Sequence, residues 1–128
     1  MTTSYVLDGR HIHTLEDFWQ VMGEAVNGVG GYFGRGLDSF SDCLRGGFGT
    51  PDDGGFVVEW RDHAHSKSAL GYAETARQLE IRLGRCHPTN RPSVAGELAA
   101  ARNKEGPTAF DWLIAIFEEE APGTLQLR

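Results

Sequence analysis

Three short β-prone runs, far apart in the chain, constrain the fold more than any other feature of the sequence. They are Ser4-Tyr-Val-Leu-Asp8, Phe56-Val-Val-Glu-Trp60 and Thr124-Leu-Gln-Leu127. The stretches between them read mainly as helices. Strands separated by helical crossovers pair in parallel, because a tight hairpin would need them adjacent in sequence. The order strand, helices, strand, helices, strand therefore predicts an α/β domain with a small three-stranded parallel sheet. Phe56–Trp60 is almost continuously apolar, which predicts burial on both of its faces. A chain of 128 residues forms one domain with a core of its own.

Local signals place the helices. Thr14-Leu-Glu-Asp17 has the form of a capping box. The helix it starts carries Leu15, Phe18, Trp19 and Met22 at helical spacing and stops near Asn27-Gly28. Leu37, Phe40, Ser41 and Leu44 form the inner face of a second, short helix. Residues 45–55 are glycine-rich and read as a long loop. Ser66 to Leu70 can start another helix. Beyond it, Tyr72, Ala76, Leu79 and Leu83 fall on one helical stripe, and Val94, Leu98 and Ala101 on another. Cys86 to Pro92 breaks between them, so residues 71–105 read as a helical hairpin. A strand at Gln78–Leu83, which alternates polar and apolar, is the competing reading. Thr108-Ala-Phe-Asp111 is a second capping box, and it opens a helix with Trp112, Leu113, Ile116 and Phe117 on its buried stripe.

Charge and targeting signals exclude several classes. A net charge of −6 argues against a general nucleic-acid binder, since phosphate backbones select Lys and Arg. The start MTTSYVLDG has no basic region followed by a long apolar run, so no signal peptide is expected. No apolar run is long enough to span a bilayer. The expected location is the cytoplasm, with Cys43 and Cys86 as reduced thiols.

The residues that could carry chemistry are mostly acidic. Asp38 and Asp42 lie four apart, on one face of the short helix, with no lysine between them. Glu118-Glu119-Glu120 ends the last helix, where the macrodipole prefers cations. A solvated face explains either cluster alone; together they suggest a surface that keeps negative charge. Paired carboxylates also serve as general acid and base in glycoside hydrolysis, but no other substrate-site signature accompanies them. His11-x-His13 and His63-x-His65 have zinc-like spacing if they lie on extended segments, and Cys86-His87 could add ligands. Nothing in the sequence unites these three places, so surface or cap histidines are expected and no metal or other cofactor is.

The segment Tyr32-Phe-Gly-Arg-Gly-Leu-Asp-Ser-Phe-Ser-Asp-Cys-Leu44 resembles the barstar family, intracellular protein inhibitors of a secreted guanyl-preferring ribonuclease. An aromatic pair, a glycine, Leu-Asp, and then Asp-Cys-Leu at the family's spacing carry the resemblance. Val58-Glu-Trp-Arg61 is similar to the family's second strand, and Ile116-Phe-Glu-Glu119 to its last helix. The likeness covers residues 4–70 and 107–127, which leaves 71–105 as an inserted helical hairpin within a single domain, 1–128. That hairpin brings six basic and four acidic side chains, and we expect it to pack away from the acidic face.

The resemblance implies a ribonuclease-binding surface built from the short helix and its adjoining loop. The aspartate matching Asp42 takes the place of an RNA phosphate among the nuclease's catalytic cations. The residue matching Asp38 adds hydrogen bonds beside it. The tyrosine matching Tyr32 packs on a catalytic histidine, the glycine matching Gly34 permits close backbone approach, and Glu119 and Ile116 fall at flanking contacts. Gly36, Leu37, Ser41, Gly46 and Phe48 complete the implied set. Ser41 departs from the family, which has tryptophan there, and Gly36 replaces an asparagine. The implied partner is a guanyl-specific microbial ribonuclease in a one-to-one complex, with no direct nucleic-acid or membrane binding and no catalysis. A module of the same fold with a non-nuclease target, or a small carboxylate-dependent hydrolase, would be the alternatives.

Overall fold

The computed structural model describes residues 2–128. Three strands form one parallel sheet in the order β1-β2-β3: β1 (Thr3–Asp8), β2 (Phe56–Arg61) and β3 (Leu125–Leu127). Leu7 pairs with Trp60, and Trp60 with Leu127. Six helices complete the domain: α1 (Leu15–Asn27), α2 (Leu37–Arg45), α3 (His63–Ala69), α4 (Tyr72–Arg85), α5 (Arg91–Arg102) and α6 (Ala109–Glu120). No helix of the described residues is long and apolar enough to cross a membrane.

β2 is not buried on both faces. Phe56, Val58 and Trp60 are buried, whereas Val57 and Glu59 are half-buried and Arg61 is exposed. The core cluster includes Leu7, Phe56, Val58 and Trp60 but neither Val6 nor Val57, so the sheet packs on its helices through one face. Val57 satisfies β propensity without being core. Glu59 and Arg61 pair on the open face at 3.1 Å.

Both capping boxes form, at Thr14/Asp17 and Thr108/Asp111. The helical hairpin of residues 71–105 also forms; α4 runs through Gln78–Leu83, which removes the strand alternative. Leu79, Val94, Leu98 and Ala101 make a small second core between α4 and α5. Two adjacent side chains of α4 are among the groups that fasten the hairpin to the main body. The buried carboxylate of Glu74 accepts the Leu15 N–H at 2.8 Å, at the N-terminus of α1. Thr75 Oγ1 accepts the Ala109 N–H at 2.7 Å, at the N-terminus of α6. Each satisfies a backbone donor that a helix start leaves without an intrahelical partner.

Burial alone would push the Glu74 carboxyl up. Hydrogen bonds from the Arg77 side chain, the Leu15 N–H and Gln78 outweigh it and hold the group below the ordinary glutamate range. A depressed folded-state value means that the unfolded chain takes up the proton more readily. The stabilisation is therefore complete at neutral pH and is lost as pH falls below about 4.3 and through the folded value. Thermal melts at neutral pH and near pH 3 should show an acid-induced loss that is smaller in Glu74→Gln than in the parent chain. Equal losses in both would show that Glu74 contributes nothing to the acid sensitivity.

Candidate functional site

The site is organised by Phe40. Its ring is fully buried and meets Phe18 at 5.2 Å, Trp19 at 5.6 Å, Phe33 at 6.0 Å and Phe117 at 5.3 Å between centroids. Phe40 thus locks α2 to α1, to the preceding loop and to α6 at once. Cys43 and Leu44 bury the same face. With that face fixed, Asp38 and Asp42 project outward into solvent. The Cys43 thiol is pushed up by burial first and by the neighbouring Asp42 second, which keeps it in the unreactive protonated form. Both cysteines are free.

Asp42 is not alone. Arg45 Nη1 donates to Asp42 Oδ1 at 2.9 Å, one turn along the helix. The same guanidinium makes a two-pronged bond to Glu120 on α6, at 2.6 and 3.0 Å. Glu119 also lies close enough to favour the charged form of Arg45, after Glu120 and Asp42. One cation therefore bonds two carboxylates from two helices, with Glu119 nearby. Arg45 holds the Glu120 carboxyl below its ordinary range. This accounts for one acid at the wrong end of α6, since Glu120 faces a guanidinium as well as the helix dipole. The Asp42 side chain remains 63% exposed.

The loops on either side of α2 are tied together by one side chain. The Asn27 amide donates to the Tyr32 carbonyl and to the Phe48 carbonyl, both at 2.7 Å. Tyr32 and Phe48 are the exposed aromatics of these loops, at 43% and 45%. Arg35 lies over the Tyr32 ring at 5.9 Å. Gly36 begins α2, Gly46 ends it, and Leu37 and Ser41 are half-buried along its flank. Ile116, also half-buried, and exposed Glu119 stand on α6, which packs against α2.

Gly34 is buried, and the close approach it permits is to its own chain. Its φ is +89°, and a Cβ there would lie 2.6 Å from the Phe40 nitrogen. A side chain is excluded both by conformation and by space. Gly34→Ala should cost more than about 1 kcal/mol, read as a lower urea midpoint. An unchanged midpoint would contradict this geometry.

The histidines come together only in part. The His13 and His65 rings lie 5.2 Å apart. His11 instead reaches Asp8 at 3.4 Å, and His63 Nδ1 meets the Arg128 carbonyl at 2.7 Å. Neither histidine pair lies on an extended segment: His11 closes a 3-10 turn, and His63 and His65 belong to α3. Among the described residues no group of three His, Cys, Asp or Glu is placed to hold a metal ion.

Arg45 and Asn27 are the organising residues that sequence reasoning missed; Glu120 was noted only as one of the acids ending α6. The i,i+3 spacing of Asp42 and Arg45 was a usable signal. Nothing local pointed to Asn27, which reads only as a residue at a helix end. The hairpin packs on α6, and Ile81, Arg82 and Arg85 of α4 stand across an open groove that Leu37 and Asp38 also border, while Asp42 lies outside it.

A family model described as Barstar (barnase inhibitor) matches residues 2–83. The chain belongs to the barstar family. The match spans β1, α1, α2, β2 and α3 and runs most of the way through α4. The α/β fold with its three-stranded parallel sheet is that of a barstar-like protein. No curated protein matches the chain.

Proposed function

We propose that this barstar-family chain inhibits a guanyl-specific ribonuclease by inserting α2 and its two flanking loops into the enzyme's active site. The observation that carries this reading is the exposed Asp42, held on a rigid helix beside Glu119 and Glu120 and between two tied aromatic loops. A ribonuclease active site must present cations to stabilise the phosphate in its transition state. A carboxylate fixed at such a point gains charge-assisted hydrogen bonds there. Asp42 is the phosphate mimic, Asp38 adds a second anion one turn away, and Tyr32 supplies an aromatic contact. Gly36, Leu37, Ser41, Gly46, Phe48, Ile116 and Glu119 surround these three. The complex is equimolar and the chain itself is not a catalyst. Inhibition takes place in the cytoplasm of the producing cell, before the enzyme is exported.

Within this reading the α4–α5 hairpin is an elaboration of the barstar scaffold, with Glu74 and Thr75 among the residues that fasten it. Ser41, where the family has tryptophan, alters which nuclease is accepted and leaves the mode of action intact. The hydrolase alternative draws little support, because Asp42 is paired with Arg45 and lies outside the groove that Asp38 borders.

The test is RNA cleavage by barnase and other microbial guanyl-specific ribonucleases, titrated with the purified chain. Activity should fall linearly and vanish at equimolar inhibitor for at least one enzyme. Full activity of every enzyme in a large excess of the chain would overturn the proposal.

A further inference from the structure

The groove between α2 and α4 encloses about 700 Å³. Arg35, Leu37 and Asp38 border it on the α2 side; Ile81, Arg82 and Arg85 face them from α4. It opens directly from the proposed nuclease-binding surface, since Asp38 belongs to both and Arg35 covers Tyr32. Glu16 also lines it and is paired with Arg77, but the other charges do not close on one another. Among the described residues Asp38, Arg35 and Arg85 form no ion pair at all. Arg82 rests over Trp112 at 5.4 Å and touches Glu97 only at 3.9 Å. Ile81 is a large apolar side chain left 37% exposed.

We propose that this groove is a second arm of the interface, which receives an acidic segment with an apolar residue from the rim of the ribonuclease active site. The inference rests on the inhibitor reading above. The balance of charge shifts along it: carboxylates gather at Asp42, while the groove sets three guanidiniums against the two carboxylates of Asp38 and Glu16, the latter already paired with Arg77. A partner that is cationic opposite Asp42 must carry negative charge opposite Arg35, Arg82 and Arg85 if both ends are to be complementary. Ile81 and Leu37 give the same segment an apolar contact. Like charges placed there cost affinity, so the groove selects among nucleases that share one catalytic centre. The hairpin thereby becomes a specificity element.

The experiment compares the parent chain with Arg82→Glu/Arg85→Glu and with Asp42→Ala against a panel of guanyl-specific ribonucleases, barnase among them. The panel should differ in charge beside the active site. Because Arg82 also covers Trp112, the single Arg85→Glu variant is measured alongside. Enzymes with acidic rims should lose at least about tenfold in affinity with the arginine variants, or ~1.4 kcal/mol. Enzymes with basic rims should bind better, so that the order of preference changes. A uniform shift across the panel, or changes within about twofold, overturns the inference. If the arginine variants instead alter the self-association of the free chain in sedimentation, the groove holds a second copy and the inference also falls. A parent chain that inhibits nothing overturns the inhibitor reading itself, and an Asp42→Ala chain that inhibits as well as the parent overturns its phosphate-mimic mechanism. A strong Asp42 effect with no arginine effect removes only the groove.

Discussion

Asp42→Ala should weaken the ribonuclease complex more than any other single substitution. Truncating one member of a desolvated charge pair leaves its partners buried and uncompensated. The cost is about 2–5 kcal/mol or more, a general range that barstar's own complex with barnase helped to define. The structure adds a reason why Asp42 is available at low expense. Its bond to Arg45 is an exposed intrahelical pair, worth about 0.3–0.5 kcal/mol. Arg45 keeps its two-pronged bond to Glu120 when Asp42 turns to the enzyme. Asp38→Ala and Glu119→Ala should cost less, because neither is held by a comparable network. All three should slow association, with the deficit shrinking as salt screens the field. Inhibition constants and stopped-flow binding at two ionic strengths give the answer. A loss below about tenfold for Asp42→Ala, or ~1.4 kcal/mol, would remove the phosphate-mimic mechanism.

Phe40→Ala should be the most damaging substitution for the fold. The ring has no exposed surface and four aromatic neighbours. Truncating a buried phenylalanine removes its transfer free energy and leaves a cavity, together about 3–5 kcal/mol. Edge-to-face contacts of the kind seen with Phe18 and Phe117 add to that loss. Urea denaturation reads the effect directly. A loss under about 1.5 kcal/mol would mean that the core closes over the gap as it does for volume-conserving swaps. Phe40→Leu should lie between the two, keeping the position of α2 and part of the inhibition.

What the sequence made legible was mostly local. Thr14 with Asp17, and Thr108 with Asp111, announce helix starts because both partners of each cap lie within one turn. Tyr72, Ala76, Leu79 and Leu83 marked α4 through periodicity alone. Phe56–Trp60 was recognisable as a strand, but its open face was not, because a valine at Val57 looks the same covered or uncovered. The resemblance to barstar pointed to α2 and its loops as the candidate surface, and these residues lie within the family match. The groups that set its geometry act across long stretches of chain. Arg45 meets Glu120, Glu74 meets Leu15, and Asn27 meets the Phe48 carbonyl. A single sequence carries no signal for such pairs, since either partner would look ordinary without the other. The same holds for α4 beside Asp38, which depends on how the hairpin docks and not on what its helices contain.

The two bonds from Asn27 bear on the thermodynamics of recognition. Loops that order only on contact subtract their lost conformational freedom from the affinity, at about 0.5–1.5 kcal/mol for each immobilised side chain rich in rotamers. Here one amide restrains the backbones that carry Tyr32 and Phe48 before any partner arrives. The entropy of arranging them is lost once, when the chain folds, and does not recur at each encounter. For the proposed inhibition, a larger share of encounters then begins with the two aromatic loops already ordered.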